Sequence, residues 1–326
     1  MQKKIMVIGG AGYVGSELVP KLLMLNHKVK VLDLFIYGET LDPHENLEIV
    51  KGDMRNIEIL QQNIKNIDVI IHLACISNDP SFDLDPELGK KINYDFFEPL
   101  VKISKDNGVK RFIYASSSSV YGLKEEKDTN EKASLKPLTD YSKFKAMCEE
   151  DLLKYNDGNF TCVILRPATV CGYSRRQRFD LVVNLLTNLA FNKREITVFG
   201  GLQLRPNIHI DDMCRAYIKV LEFDKKVVEG QIFNAGYENK SVNDLANLVR
   251  SVIGKDVSVK TKPTDDNRSY HITSEKIKKV IGFESKKNIK NSIEDLNKAF
   301  KENKYYNSLE NEMYFNIKRM KSINLK

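Results

Sequence analysis

Ile5-Met6-Val7-Ile8-Gly9-Gly10-Ala11-Gly12-Tyr13-Val14-Gly15 is the stretch that decides the fold. Its first four residues are an apolar run too short for a helix and closed by glycine, which reads as a buried parallel strand. Gly9 permits the tight turn, Gly12 lets backbone N–H groups approach a pyrophosphate at a helix N-terminus, and Gly15 lets that helix pack close to the strand. Tyr13 and Val14 belong to the same cradle. Val14, Leu18, Leu22 and Leu25 then recur on one helical face. Pro20, inside that helix, is expected to kink it or open its hydrogen-bond ladder. A second strand, Val29-Lys30-Val31-Leu32-Asp33, ends in a carboxylate where an adenosine ribose is held. A 2′-phosphate would meet like charge there, so the pattern predicts NAD rather than NADP.

Working outward, strand-like runs at Leu47–Val50, Asp68–Leu73, Arg111–Ala115 and Thr161–Leu165 alternate with helical segments. That rhythm predicts an α/β protein built on a right-handed, doubly wound parallel sheet. It breaks between Cys171 and Pro206, a region with a basic loop and a helical stretch, Leu181–Asn192. Ile208–Val220 then reads as a short strand and helix, Gln231–Ala235 as a strand, and Val257–Lys260 as another. The expected division is interleaved. Residues 1–170, with 207–235 returning to them, form the dinucleotide-binding domain; 171–206 and 236–326 form a smaller substrate-binding lobe. Tyr305, Tyr306, Tyr314 and Phe315 are expected to pack on the body.

The 326 residues, 42% of them hydrophobic, suffice for one large domain or two smaller ones. No apolar run approaches the ~18–20 residues that span a bilayer, and no secretory h-region precedes the first glycine. Cys75, Cys148, Cys162, Cys171 and Cys214 are odd in number, widely spaced and in no CxxC pair. These features predict a cytoplasmic protein with reduced thiols, no membrane association and no metal site. The net charge of +7 is carried mostly by lysines scattered among acids. It reads as a solvated surface whose field attracts an anionic substrate. Nucleic acid is not an expected partner, because no recognised motif accompanies the charge.

The chemistry is carried by Tyr141-Ser142-Lys143-Phe144-Lys145. Residues four apart on a helix share a face, so the phenol and the ammonium can meet in one cleft. A nearby cation favours phenolate and is expected to lower the phenol pKa toward working pH. Such a tyrosine moves a proton to or from an alcohol while hydride passes to a nicotinamide. Upstream, Tyr114-Ala115-Ser116-Ser117-Ser118-Ser119-Val120-Tyr121-Gly122 places hydroxyls at the carboxyl end of a buried strand, where open α/β sheets bind ligands.

Together these motifs resemble the extended short-chain dehydrogenase/reductase family, the nucleotide-sugar epimerases, dehydratases and oxidoreductases, over essentially the whole chain. The resemblance implies a Rossmann-type sheet with bound NAD and a nucleotide-diphosphate sugar as substrate. It implies that Tyr141 is the catalytic base, Lys145 its partner and holder of the nicotinamide ribose, and Ser117 the hydroxyl that bonds the sugar oxygen. Asp53, beside Met54, matches the contact to adenine. Leu73 and Ala74 match the backbone beside the cofactor, Cys75 replaces the usual alanine, and Asn93 matches a structural asparagine. On the substrate side, Arg205 and Arg268 match arginines that clasp a pyrophosphate, Arg178 and Asn184 a second anchoring stretch, and Ser77 and Asn78 a loop bordering nicotinamide and sugar. Thr169 stands where many relatives carry a substrate-binding asparagine. His209 is expected to be structural.

In 4,6-dehydratases of the family the catalytic hydroxyl is followed by an acid pair; here those positions are Ser118 and Ser119. The resemblance therefore favours oxidation at C4 of a nucleotide-activated hexose or heptose, with the 4-keto sugar released or re-reduced to its epimer. The Arg175–Asn184 stretch and the Ser77–Pro80 loop resemble a bacterial branch acting on surface-polysaccharide sugars, heptose C4 dehydrogenases among them. A 4,6-dehydratase or a 4-keto reductase is the alternative within the family. A non-catalytic NAD sensor is the alternative outside enzymology. Relatives also pair the helices here expected at Glu87–Asp106 and Tyr141–Tyr155 across a twofold axis, which implies a homodimer with Phe96, Leu100 and Ile103 facing the mate.

Overall fold

The computed structural model describes residues 2–124, 128–264, 269 and 271–326. Its strands are β1 (Lys4–Ile8), β2 (Lys28–Asp33), β3 (Leu47–Lys51), β4 (Val69–His72), β5 (Arg111–Ala115), β6 (Thr161–Pro167), β7 (Thr169–Cys171), β8 (Glu195–Phe199), β9 (Leu204–His209), β10 (Gln231–Ala235), β11 (Glu238–Ser241) and β12 (Ser258–Lys262). Seven of them make one sheet in the order β10-β6-β5-β4-β1-β2-β3, with every neighbouring pair parallel. Parallel strands covered on both faces bury both sets of side chains. Thus Ile5 and Val7 enter one apolar layer with Leu18, Leu22 and Val31. Met6 and Ile8 enter the other with Leu60, Ile70 and Phe112. Strand order reverses between β1 and β4, and there the carboxyl ends leave a crevice.

The helix Gly15–Met24 runs on through Pro20. Proline has no N–H to offer the Ser16 carbonyl; Arg175 Nη1 donates to that carbonyl at 3.3 Å instead. The ladder opens at one bond, and a distant loop uses the opening.

The chain leaves the sheet after β6. A three-stranded sheet, β11-β9-β7, and a parallel pair, β12-β8, form the second lobe around Val183, Leu186, Val198, Leu245, Val249 and Ile293. β10 returns to the main sheet beside β6. Strands β7, β8 and β11 carry no signal in the sequence reading, being three to five residues long with mixed polarity. At the C-terminal end Phe179, Phe300, Tyr305 and Tyr314 form an aromatic cluster with centroid separations of 4.8–5.9 Å. Phe315 packs beside it, whereas Tyr306, expected on the body, is 83% exposed.

The expected helix over Glu87–Asp106 is three pieces: Pro86–Lys90, a π-helical turn Lys91–Asp95, and Phe97–Asp106. Leu100 turns into its own sheet's core and is fully buried, which removes it from any surface; Phe96 and Ile103 are half-buried. Among the described residues no helix is long and apolar enough to cross a membrane.

Candidate active site

A cavity of about 520 Å³ opens over the crevice between β1 and β4. Its floor is the glycine turn. Gly9 has φ +86°, and a Cβ there would lie 2.5 Å from the Ala74 backbone nitrogen, so the strand-to-helix turn and β4 meet only through glycine. At Gly15 a Cβ would lie 2.6 Å from Gly10, so that glycine brings the helix start against the turn itself. At Gly12, which faces the cavity with Tyr13 and Val14, a Cβ would lie 3.3 Å from the Gly9 carbonyl oxygen. Val14, the N-cap, supplies no side-chain acceptor. With Gly15 on its wall, the cavity thus meets the positive end of the helix dipole, the arrangement that favours phosphate.

Asp33 ends β2 at the cavity edge. Its carboxylate accepts Ala11 N–H at 2.9 Å and Phe35 N–H at 2.8 Å, which ties the glycine turn to the loop after β2. Burial pushes its pKa up, and those two N–H groups oppose the rise. Asp53 and Met54 line the same end. Asp53 pairs with Arg55 at 2.6 Å and is held below its usual carboxyl range by that contact. Leu73 and Ala74 run past the floor. Asn93, on the π-helical turn, fixes the next residues by bonding both the N–H and the carbonyl of Ile76, at 2.8 and 2.9 Å.

The reactive end lies at the carboxyl edge of β4 and β5. Thr139 caps the helix Asp140–Lys154 in a capping box with Ser142, so Tyr141 and Lys145 project from its first turns on one face. Lys145 Nζ donates to the Ala115 carbonyl at 2.6 Å and lies 4.8 Å above the Tyr114 ring. It is 5.9 Å from the centre of the Tyr141 ring. Ser117 Oγ accepts from Ser119 Oγ at 2.9 Å and from Ser119 N–H at 3.2 Å, and it lines the cavity with Tyr141. The sequence predicts a lowered phenol pKa. In this state the phenol is pushed well above its usual value by burial, with Cys75 and Asp79 adding to the rise; Ser117 and Arg178 oppose it. Desolvation wins because the ammonium is engaged by a carbonyl and does not touch the phenol oxygen.

Beneath the site a buried network locks this geometry. Glu149, one turn beyond Lys145, accepts from Ser116 Oγ and from Arg166 at 2.9 and 2.5 Å. Arg166 Nη1 donates to Tyr121 at 2.8 Å, and Tyr121 donates to Asn234 of β10 at 2.7 Å. Helix, β5 loop, β6 and β10 are thereby fixed together by satisfied polar groups. His72 lies close by, buried and stacked on Tyr114 at 5.9 Å; burial, with Lys145 adding, pulls its pKa down to about 3.

On the substrate side, Ser77, Asn78, Ser118, Thr169, Arg178 and Arg205 all face the cavity. Asn78 has φ 77° and ψ 156°, a strained backbone for a residue other than glycine, and its side chain caps the short helix Asp79–Phe82. Asn184 sits behind the wall. Its amide bonds Gly172 N–H at 3.0 Å, the Tyr13 hydroxyl at 3.0 Å and the Arg178 carbonyl at 2.9 Å. Every polar atom of that side chain is spent on protein, so what it positions is Tyr13 and the Arg178 loop. Arg268 lies outside the described residues. His209 is buried, accepting Asp211 N–H and bonding Asp295 at 3.1 Å.

Several wall residues carry no local signal in the sequence: Tyr37, Asn316, Met320 and Leu325, whereas Asp79 belongs to the Ser77–Pro80 loop that the sequence singles out. Arg176 was detectable only as one member of a basic run. The helix Asn316–Ser322 closes over the cavity from the far end of the chain, with Met320 packed in one cluster with Tyr141 and Phe82.

Fold and site together define an NAD-dependent enzyme whose cavity lies at a parallel-sheet switch point and is lined by a tyrosine–lysine pair. Residues 5–236 match the NAD dependent epimerase/dehydratase family model, and the chain belongs to that family. It is 28% identical to the human dTDP-D-glucose 4,6-dehydratase, covering 92% of this chain and 91% of the relative. It is 25% identical to the UDP-glucose 4-epimerase of Lactobacillus helveticus, over 87% and 92% of the two chains. The crystal structure of the Thermotoga maritima UDP-glucose 4-epimerase with UDP-glucose is similar at a TM-score of 0.85 and 25% identity, covering 93% of this chain and all of that one.

Proposed function

We propose that this enzyme oxidises C4 of a nucleotide-activated hexose or heptose and either releases the 4-keto sugar or re-reduces it from the other face. The observation that carries the reading is Tyr141, one helical turn from Lys145 and sharing with Ser117 the wall of a cavity that also holds the dinucleotide cradle. Bound NAD supplies the hydride acceptor. Ser117 orients the C4 oxygen, and Tyr141 takes the hydroxyl proton. Lys145 offsets the resulting negative charge on the phenol and holds the nicotinamide ribose. The nucleotide diphosphate is assigned to Arg205 and Arg268, with Thr169, Ser118, Ser77 and Asn78 around the sugar. The setting is surface-polysaccharide biosynthesis, and the working unit is a homodimer joined through the helices Phe97–Asp106 and Asp140–Lys154.

A second reading, 4,6-dehydration, draws on Asp79. This carboxylate lines the cavity on the Tyr141 side and accepts from Thr139 Oγ1 at 2.6 Å. Dehydration needs an acid–base group at C5 and C6; Ser118 and Ser119 occupy the positions where dehydratases carry that acid pair. Incubation with a panel of UDP-, GDP-, CDP- and dTDP-sugars, followed by mass and NMR analysis, separates the readings. C4 chemistry leaves the C6 oxygen in place, and loss of water from the sugar shows dehydration.

A further inference from the structure

The loop after β7 rides on the first turn of the glycine-loop helix. Ser174 Oγ donates to the Tyr13 carbonyl at 2.7 Å, Arg175 N–H to Glu17 at 2.9 Å, and Arg176 N–H to Ser16 Oγ at 3.3 Å. Two guanidinium groups enter the cavity from this loop, Arg176 and Arg178, only 4% and 7% exposed. Each has a buried donor with no partner: Nε of Arg176 and Nη2 of Arg178. Their other contacts differ: Arg178 is ion-paired and Arg176 is not. Arg178 gives Nε to Asp180 at 2.8 Å and Nη1 to Ser77 Oγ at 2.8 Å. Arg176 gives Nη2 to the neutral Asn316 amide oxygen at 2.6 Å and lies 3.5 Å over the Tyr37 ring. Among the described residues it forms no ion pair. Asp180 answers Arg178, and the Arg176 guanidinium stands on this wall with an open donor and no carboxylate in ion-pair contact. Such a charge is costly unless an anion meets it.

The place fits one anion above others. Tyr37 follows Asp33 by four residues, and the arginine loop is bonded to the helix start, whose positive dipole end adjoins the cavity. The helix dipole and the guanidinium forks thus act on one cavity. Guanidinium matches phosphate oxygens bidentately. Arg205, by contrast, stands on β9 of the second lobe.

We infer that Arg176 and Arg178, the latter in place of the substrate contact that the family resemblance implies for it, clasp the diphosphate of the bound dinucleotide, with Asn316 of the closing C-terminal helix holding both in place. Asn316 serves as the keystone: its Oδ1 accepts from Arg176 and Tyr37, its Nδ2 donates to Ser77 Oγ, and its N–H donates to Asp180.

The test uses the full chain stripped of nucleotide, titrated by calorimetry with adenosine, ADP-ribose and UDP or GDP. Binding alone is read, so failure of the C4 assignment leaves the result interpretable. Arg176→Gln and Arg178→Gln each weaken ADP-ribose by about 10- to 100-fold, the span of a lost charge-assisted hydrogen bond, and leave adenosine, UDP and GDP unchanged. Loss confined to UDP or GDP assigns the pair to the sugar nucleotide and overturns the inference. Equal loss for adenosine reveals a merely structural role and overturns it too. If the Gln variants do not fold, Arg176→Lys and Arg178→Lys keep the charge without the fork; ADP-ribose affinity then falls below wild type, and wild-type affinity contradicts the clasp.

Discussion

Tyr141 holds its proton tightly because burial disfavours the phenolate more than Ser117 and Arg178 favour it. A raised pKa keeps the phenol protonated, unable to accept a proton, until the pH approaches that value. Oxidation should therefore accelerate as pH rises, and Lys145→Met should push that rising limb further alkaline, which a pH–rate profile of kcat/KM will reveal. Tyr141→Phe removes the acceptor and should cost about 10²–10⁴-fold in turnover, with NAD and nucleotide-sugar affinity little changed. Wild-type turnover in that variant contradicts the assignment. At this scale the candidate catalytic set was legible because it is local: a spacing of four from Tyr141 to Lys145, and a serine run at a strand end. Arg176 and its partner Asn316 are 140 residues apart, and Arg166 reaches Glu149 only through the fold. No spacing rule connects such pairs. Asn184 illustrates the converse, a residue recognisable by motif whose amide the structure spends on Tyr13 and the Arg178 loop.

Among the elements, β4 ends in a histidine that cannot be charged in place. His72 is 3% exposed among Phe97, Phe112 and Tyr114, with its pKa pulled down to about 3. An unfolded histidine titrates near ~6.5. Its neutral burial therefore contributes stability that is intact above that value and is lost as pH falls toward about 3, at about 1.4 kcal/mol per pH unit. Urea unfolding between those limits should show a shallower pH slope for His72→Leu; an unchanged slope means another group dominates. The helix Asn316–Ser322 is the second element with a consequence. Asn316, Met320 and Leu325 line the cavity, and Arg319 ties the helix to the Ile36 carbonyl at 2.5 Å. Removing residues 316–326 should speed NAD dissociation in stopped-flow displacement; an unaltered rate shows that the helix does not retain the cofactor. The long apolar strands were readable from their runs. The short strands β7, β8 and β11 were not, because neighbours in space rather than local pattern hold them. The π-helical turn at Lys91–Asp95 likewise serves Asn93, whose partner Ile76 lies 17 residues back.

For the whole molecule, the doubly wound sheet was legible from alternating strands and helices, and the glycine turn with Asp33 indicated which crevice matters. Cofactor preference follows from the same carboxylate. A 2′-phosphate would crowd Asp33, which already accepts two backbone N–H groups. NAD should bind more tightly than NADP, and equal affinities would sink that claim. Assembly is a separate matter. Leu100 is spent on the monomer's own core, so a twofold interface must use the half-buried Phe96 and Ile103 and the exposed Met147. Sedimentation at micromolar concentration should show a dimer, and a stable monomer rules it out. The most direct test of the central claim is a nucleotide sugar deuterated at C4, offered to the enzyme with NAD and analysed by mass spectrometry. The C4 reading predicts that the label moves from the sugar to the nicotinamide and that the sugar keeps all its oxygens, with both events suppressed in Tyr141→Phe. A label that never leaves C4, or the same transfer rate in Tyr141→Phe, contradicts it.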